Sequence, residues 1–322
     1  MKDVVVLIPV YDPNEKIMQE FLDKLEKKFK NIVFIDDGCS KKYQKYLESL
    51  KEKYPVLKHH INLGKGRGIK NGLNYILNNY PKVKAIVTAD CDGQHSPKDI
   101  QKVAEMTMDN ENSLILGVRD FNNASVPFKS RYGNILTKNI MYNLLGMKIS
   151  DTQTGLRGMS PSVAQKLLEV EGEKYEYETN VLINCEEKNT PIKEVVIDTI
   201  YIDDNATSHF NPVEDSYRIY KLFTKYLLVV LLAYLIETIT FSFFLSSKIN
   251  IIVSSLLIIK IASFLFVKLV NKFASIYIYL VSTFLTFLCI VFLPSNLILI
   301  FKILLDIILV VICLLINNNQ NG

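Results

Sequence analysis

The 322-residue sequence predicts an α/β domain with a mostly parallel sheet, followed by an all-α transmembrane domain of four helices. Two patterns support this fold class. Over residues 1–118, short β-branched runs alternate with amphipathic stretches, which is typical of a parallel α/β sheet. From Leu222 onward the sequence is apolar in long blocks, as expected of helices that cross a bilayer.

Five segments of the first domain are predicted to be β-strands. Residues 4–9, 32–35, 83–88 and 114–118 are continuous apolar runs bounded by turn or charged residues, as in strands buried on both faces. Residues 192–202 alternate in the manner of an edge strand. Between the first two strands, apolar side chains recur at helical spacing with Lys and Glu on the opposite face, which predicts an amphipathic helix. These apolar side chains are Ile17, Phe21, Leu25 and Phe29.

Three segments make up the predicted domain organisation. They are the α/β domain at 1–210, an interfacial amphipathic helix at 211–223 and the transmembrane domain at 222–316. The interfacial helix would place Tyr217, Tyr220 and Phe223 at headgroup depth, and a soluble amphipathic helix is the alternative. The transmembrane blocks lie at about 222–244, 249–270, 273–293 and 295–316, each near the ~20 residues needed to span a bilayer.

The charges divide between the two halves of the chain. Residues 222–322 contain six Lys, one Glu and one Asp, whereas the preceding residues contain 31 basic and 31 acidic side chains. A neutral front half lacks the basic surface that a nucleic-acid-binding protein needs. With that half in the cytoplasm, the connection that holds Lys268 and Lys272 faces inward, as the positive-inside rule expects.

The expected compartment also follows from the N-terminus and the cysteines. The apolar run at residues 4–10 is too short for the core of a signal peptide, and the five Cys show no CxxC spacing. We therefore expect a cytoplasmic catalytic domain with reduced thiols. Four ionisable residues fall within the apolar blocks, and they are either paired or snorkelling charges or part of a lipid- or substrate-handling site. They are Glu237, Lys260, Lys302 and Asp306.

The string TADCDGQHSP at residues 88–97 carries the clearest chemical signal. Asp90 and Asp92 follow the end of a predicted strand, where ligands of parallel sheets bind, and Gln94 adds a neutral oxygen. Two carboxylates at this spacing can converge on one hard cation, so Mg²⁺ or Mn²⁺ is favoured over zinc. Such an ion would bridge the phosphates of a nucleotide diphosphate. A bare Asp-x-Asp pair in a solvated turn is the alternative.

Two further strand ends and one glycine-rich segment predict parts of a nucleotide site. Pro9 and Tyr11 offer an aromatic platform for a base, and Asp36 and Asp37 offer carboxylates to a base or ribose. In NLGKGRGIKNG at 62–72, Lys65 and backbone N–H groups at a helix start could contact an anion. Each segment alone is also compatible with an ordinary turn or N-cap.

In this order, IPVYDP, FIDDGC, NLGKGRG and TADCDGQHSP resemble glycosyltransferase family 2, which has the Rossmann-like GT-A fold and inverting chemistry. The resemblance spans nearly all of residues 1–205. DTQTGLRG at 151–158 is similar to the polyprenyl-phosphate branch, whose members include dolichyl-phosphate mannose and glucose synthases. SHFNPVEDSYRIY resembles the junction to a GtrA-like membrane domain.

The resemblance assigns roles to individual residues. It implies that Asp90, Asp92 and Gln94 hold nucleotide and metal, and it matches Arg119 and Arg131 to phosphate-holding positions. The implied nucleotide pocket consists of Pro9, Tyr11, Asp36, Asp37 and Lys65. The candidate contacts to the acceptor or to a phosphate are Asp151, Arg157 and His209. In the family's first motif Asn-Glu follows Tyr, whereas Asp12 and a proline follow here, so the role of Asp12 is open.

The expected function is inverting transfer of a hexose from a UDP- or GDP-linked sugar to polyprenyl phosphate at the cytoplasmic membrane face. The lipid would be undecaprenyl phosphate in a bacterium, the product would serve cell-envelope glycan modification, and a homo-oligomer is left open. An acceptor phosphate is already ionised, so neither His95 nor His209 is needed as a base.

Two alternatives make different demands on the sequence. A processive polysaccharide synthase needs a base and a QxxRW motif, but this chain has no Trp. A flippase or scaffold that only senses nucleotide-sugar would not need the intact metal ligands.

Overall fold

The computed structural model describes residues 1–120, 128–198, 211 and 213–228, with further single positions beyond them. Those positions are 232, 235, 236, 239, 297, 300–305, 307 and 308. The chain divides into two compact units. The first comprises Met1–Asn134 and Ser150–Tyr220, and the second comprises Ile135–Ile149 and Lys221–Gly322.

A mixed seven-stranded sheet forms the centre of the first unit. Its order is β3-β2-β1-β4-β6-β5-β7, and every pairing is parallel except those of β6 with β4 and β5. This confirms the predicted mostly parallel sheet. The strands are β1 (Val4–Val10), β2 (Asn31–Asp36), β3 (Val56–Lys58), β4 (Ala85–Thr88), β5 (Leu114–Arg119), β6 (Arg157–Met159) and β7 (Ile192–Ile197).

Two strands lie outside the sequence prediction, and two predicted strands are shorter than expected. β3 and β6 have three residues each, which is too short for a periodic pattern to develop. β4 begins at Ala85 rather than at residue 83, and β7 ends at Ile197. Residues 199–202 of the predicted last strand lie outside the described residues. β7 does form an edge of the sheet, as predicted.

Helices cover the sheet where the sequence supplies one apolar face and a cap. α1 buries Met18, Phe21, Leu22 and Leu25, and Asn14 caps its first turn. The predicted helix ends one turn before Phe29, which is buried beyond the helix. The helices are α1 (Glu15–Leu25), α2 (Gln44–Lys51), α3 (Lys65–Asn79), α4 (Pro97–Asp109), α5 (Phe128–Leu145), α6 (Pro161–Leu167), α7 (Glu176–Glu187) and α8 (Glu214–Lys221).

The parallel register brings the ends of three strands to one edge of the sheet. Leu7 of β1 pairs with Thr88 of β4, and Val10 pairs with Asp36 of β2. Because these strands run in the same direction, the segments that follow them meet there. The sheet register therefore gathers residues that lie about 80 positions apart in sequence.

The predicted membrane region falls largely outside the described residues. Within the part of the chain that the structure describes, no helix combines the length and apolar content needed to cross a membrane. The four spans and the GtrA-like domain stay predictions, and Glu237, Lys260 and Asp306 lie outside the described set. Lys302 is described, and its side chain is fully buried.

Candidate active site

A cavity of about 320 Å³ opens where β1, β2 and β4 end. Six sequence-predicted nucleotide or metal residues line it: Pro9, Tyr11, Asp37, Lys65, Asp90 and Asp92. Asp36 and Gln94 do not. The remaining lining residues are Val10, Asn62, Gly64, Cys91, Lys174, Tyr175, Asn211, Glu214 and Asp215.

Local hydrogen bonds fix the Asp90–Asp92 turn. The backbone N–H of Asp90 donates to Nδ1 of His95 at 3.1 Å, and the N–H of Gln94 donates to Oδ1 of Asp92 at 3.0 Å. His95 is buried and supports the turn through this hydrogen bond. Gly155 packs behind Asp90, since a Cβ added at this glycine would lie 2.3 Å from the Asp90 Oδ2.

The ammonium group of Lys65 lies between the carboxylates of Asp90 and Glu178. Its Nζ lies 2.8 Å from Oδ1 of Asp90 and 3.1 Å from Oε1 of Glu178. Burial alone would lower the pKa of Lys65, but the two carboxylates raise it above its usual value. Burial would likewise raise the pKa of Asp90, but Lys65 and His95 hold it below its usual range. Burial and the charge of Asp90 both raise the pKa of Asp92.

Asp36 and Asp37 differ in what they offer a ligand. Asp36 accepts a hydrogen bond from the N–H of Cys39 at 2.8 Å and is 1% exposed. Asp37 accepts from the N–H groups of Leu63 and Gly64, both at 2.9 Å, and its Oδ1 contacts Nδ1 of His59 at 2.7 Å. Asp37 thus anchors the glycine-rich segment while it lines the cavity.

Several backbone N–H groups of the glycine-rich segment are used within the protein. The N–H groups of Leu63 and Gly64 are used by Asp37, and that of Arg67 donates to the carbonyl oxygen of Glu173 at 2.9 Å. The protein's own carboxylate and carbonyl take these donors because the chain after α6 packs against the start of α3. The segment contributes Asn62, Gly64 and Lys65 to the cavity lining.

Arg119 and Asp151 form a bidentate ion pair. Nε and a terminal nitrogen of Arg119 donate to the two Asp151 oxygens at 2.7 and 3.1 Å. The same carboxylate accepts from the backbone N–H groups of Arg119 and Gln153 and is fully buried. Asp151 therefore fixes Arg119 instead of facing an acceptor. Arg119 lies close enough to Asp90 for its charge to lower the pKa of that carboxyl.

Arg157 and Arg131, two of the other predicted phosphate contacts, do not line the cavity. Arg157 is buried in β6, where Nε donates to the Thr154 carbonyl at 2.9 Å and a terminal nitrogen donates to the Glu178 carbonyl at 2.7 Å. Arg131 is half-buried on α5 and is not a lining residue of the cavity. His209 lies outside the described residues.

One cavity wall was not anticipated from the sequence as part of the site. It consists of Lys174 and Tyr175 before α7, and of Asn211, Glu214 and Asp215 at the start of α8. The amphipathic pattern of α8 predicted a membrane-surface helix, and no motif marks its first turn as part of a site. Glu178 also lacked a signal, because it falls between apolar and aromatic residues of an ordinary helix.

The donor set suits a hard divalent cation that also binds substrate. Asp90 and Asp92 are charged oxygen ligands at one wall of the cavity, and the charge of each disfavours ionisation of the other unless a cation compensates. Among the described residues, no cluster of three or more His, Cys, Asp or Glu could hold a metal by itself. The remaining ligands would be water molecules, or substrate phosphates once a nucleotide is bound, as is common for Mg²⁺.

The chain resembles known proteins over about two thirds of its length. An uncharacterized protein of Methanocaldococcus jannaschii is 32% identical over 68% of this chain and 90% of its own length. A protein of Methanococcus voltae named UDP-N-acetylglucosamine–dolichyl-phosphate N-acetylglucosaminyltransferase is 29% identical over 63% of this chain and 87% of its own. A dolichyl-phosphate β-glucosyltransferase of Dictyostelium discoideum is 26% identical over 64% of this chain and 69% of its own length.

The fold and a family profile agree with these relatives. Glucosyl-3-phosphoglycerate synthase of Mycobacterium tuberculosis, solved with Mn²⁺, UDP and phosphoglyceric acid, superposes with a TM-score of 0.52. The two chains are 13% identical over 70% of this chain and 77% of the other, so the likeness shows the fold alone. The profile of glycosyl transferase family 2 matches residues 5–168. Because this match covers half of the chain, the protein belongs to glycosyl transferase family 2.

Proposed function

We propose that this protein transfers a hexose from a nucleotide-sugar to a polyprenyl phosphate, with inversion and with Mg²⁺ or Mn²⁺. The observation that carries the proposal is that Asp90, Asp92, Lys65, Tyr11 and Asp37 line one and the same cavity. Carboxylates for a cation, an ammonium group for a phosphate and an aromatic ring for a base are the parts that a nucleotide diphosphate requires. Two relatives bear names of dolichyl-phosphate sugar transferases, which supports this acceptor class.

The chain's own residues would divide the work between binding and charge neutralisation. Tyr11, which is 36% exposed, would stack on the base, and Asp90 and Asp92 would hold the cation. A bound divalent cation would supply charge neutralisation for the departing diphosphate. Arg119, held by Asp151, would add positive charge beside Asp90, where the phosphates of the donor would bind.

A lipid phosphate would not need a base to become a nucleophile. Its oxygen is already ionised at neutral pH, so in-line attack depends on orientation and on shielding of negative charge. His95, whose Nδ1 accepts a hydrogen bond from Asp90, would keep the Asp90–Asp92 turn in shape. Among the described residues of this cavity, no histidine is required for proton transfer.

We also propose a membrane-bound enzyme whose catalytic unit lies at the cytoplasmic face and continues into a GtrA-like domain. Apolar side chains recur on one helical face after α8 and are 48–62% exposed, namely Leu228, Leu232, Leu235, Ile236 and Ile239. A second exposed apolar group is Ile300, Phe301, Ile303, Leu304, Ile307 and Ile308. Acyl chains are the environment that suits such surfaces. The lipid product would serve glycan modification of the cell envelope.

The first test is transfer of radiolabel from nucleotide-sugar to polyprenyl phosphate by the full chain in detergent. UDP-N-acetylglucosamine, UDP-glucose and GDP-mannose form the donor panel. We expect one donor to label the organic phase in the presence of Mn²⁺ or Mg²⁺, and EDTA to abolish the transfer. Asp92→Asn should reduce the rate at least about 100-fold, because a cation site then loses a charged ligand.

Asp109→Asn is the matched control for this substitution, since Asp109 is an exposed carboxylate at the end of α4. It should transfer sugar at the unaltered rate. Normal metal-dependent transfer by Asp92→Asn would show that Asp92 is not a ligand of the cation. If the protein binds nucleotide-sugar tightly but transfers sugar from no donor to any lipid phosphate, it is a binding protein and not an enzyme.

A further inference from the structure

Lys65 lies between two carboxylates that belong to different parts of the fold. Asp90 follows β4, and Glu178 is in the first turns of α7. The distances from Nζ are 2.8 Å to Asp90 and 3.1 Å to Glu178. Since Asp90 is the candidate ligand of a cation, the lysine and that cation would compete for the same oxygen.

Glu178 is placed so that Lys65 is its natural partner. The Glu178 side chain is 9% exposed, and its Oε1 has no hydrogen bond in the described part of the chain beyond the ionic contact with Lys65. A buried carboxylate in this position depends on that ammonium group for stabilisation. Its backbone is fixed as well, because the Glu178 carbonyl accepts a hydrogen bond from Arg157.

The two helices hold the lysine and the glutamate at a constant separation. Gly66, the residue after Lys65, meets Tyr177, the residue before Glu178, so closely that an added Cβ would lie 2.5 Å from the Tyr177 Cβ. The Tyr177 hydroxyl donates to the Leu167 carbonyl at 3.0 Å, which anchors α7 from its other side. Lys65 already contacts both carboxylates, so its contact with Glu178 needs no movement of the backbone.

We propose that Glu178 is a positioning residue that retains Lys65 when a divalent cation takes Asp90. The proposal rests on the function proposed above. With Glu178 present, the cation displaces only half of a shared ion pair, and Lys65 stays charged and ordered in the cavity wall. Without the Glu178 charge, Lys65 pairs with Asp90 alone and opposes the cation fully.

A double-mutant cycle on metal binding tests this coupling. Mn²⁺ alone is titrated into the full chain in detergent by calorimetry, without nucleotide. Glu178→Gln should weaken Mn²⁺ binding about tenfold, and Lys65→Met should strengthen it, because the competing ammonium is gone. In the Lys65→Met background, Glu178→Gln should change the affinity less than about twofold. Glu178→Asp, which keeps the charge but shortens its reach, should give an intermediate affinity.

Two results would overturn the coupling. If Glu178→Gln lowers the Mn²⁺ affinity equally in both backgrounds, Glu178 acts only through long-range charge. If it lowers the affinity in neither background, Glu178 has no influence on the metal site. Glu187→Gln, at the exposed far end of α7, is the control for net charge and should leave Mn²⁺ affinity unaltered. Thermal unfolding of each variant shows that it is folded before titration.

Failure of the proposed function gives a different signature. If the unaltered chain binds no Mn²⁺, or binds it equally well as Asp92→Asn, the cation site itself is wrong and both proposals fall. If Asp92→Asn abolishes binding while Glu178→Gln has no effect, only the role of Glu178 falls.

Discussion

The carboxylates near the cavity differ in whether the protein leaves their oxygens to a ligand. Asp151 and Asp36 are at most 1% exposed, and internal donors use their oxygens. Asp90 and Asp92 line the cavity, and the charged partner of Asp90 is the Lys65 side chain, which also lines it. Internal hydrogen bonds thus separate structural acids from those that can bind a cation.

Asp151 offers a stability prediction at the residue scale. Asp151→Ala leaves the Arg119 guanidinium without its buried counter-charge, so the free energy of unfolding should fall by about 3 kcal/mol. The double substitution Arg119→Ala with Asp151→Ala should cost clearly less than the sum of the two single changes, since the stranded charge is removed. Chemical denaturation of the detergent-solubilised chain measures these differences.

The control for Asp151→Ala is Asp109→Ala, which removes an exposed carboxylate and should change the free energy of unfolding by less than about 0.5 kcal/mol. Equal and additive losses from Arg119→Ala and Asp151→Ala would show that the two side chains do not stabilise each other.

At the scale of elements, the start of α3 is closed by another part of the same unit. Gly64 adopts a φ of 102°, and its neighbour across the contact is the Glu173 carbonyl. Glu173 also pairs through its side chain with Arg67 and with Lys70, the latter at 2.9 Å. The loop before α7 thereby seals the helix terminus and fixes the backbone from which Lys65 extends.

Gly64→Ala tests this closure. The added Cβ would lie 2.4 Å from the Glu173 carbonyl oxygen, and alanine disfavours the positive φ, so the free energy of unfolding should fall by about 2 kcal/mol or more. Gly68→Ala is the matched control on the same helix. Its Cβ would make an ordinary contact at 3.4 Å with Ile35, so that alanine should be neutral or stabilising by up to about 1 kcal/mol.

Thermal unfolding of both glycine variants beside the unaltered chain measures the difference. A Gly64→Ala protein as stable as the Gly68→Ala protein would mean that the loop before α7 does not close on α3. Sugar transfer should fall with Gly64→Ala as well, because Lys65 is the next residue.

At the scale of the whole molecule, the polypeptide passes directly from the cavity into the apolar half. Glu214 and Asp215 line the cavity, and the exposed apolar face of Leu228, Leu232 and Leu235 follows within two dozen residues. This continuity suits an enzyme whose donor is soluble and whose acceptor resides in lipid. The catalytic unit would then remain at the membrane surface where the lipid phosphate is found.

Membrane integration is predicted for the full chain. After expression, the protein should sediment with membranes and remain there after a wash at alkaline pH with carbonate, because the apolar blocks are each near the ~20 residues that span a bilayer. Detergent should release it, whereas a high-salt wash should not. Release by carbonate would contradict the four predicted spans and leave only a surface association.

Four buried strands and several residues of the site could be predicted from the sequence. Continuous apolar runs predicted β1, β2, β4 and β5. The string TADCDGQHSP predicted Asp90 and Asp92 as ligands of a cation. Those features are local, since burial on both faces produces a continuous apolar strand whatever its partners are. β3 and β6 are three residues long and owe their strand conformation to their neighbours. Composition alone could not reveal them.

The sequence by itself determined the α/β class of the first domain, the family and the carboxylates at the end of β4, because these depend on patterns within short segments. Only the tertiary structure decided how the charges are partnered: Lys65 with Asp90 and Glu178, Arg119 with Asp151, and the glycine-rich backbone with Asp37 and Glu173. The physical reason is that an ion pair or hydrogen bond depends on distances of about 3 Å between segments far apart in sequence. No spacing along the chain encodes such a distance.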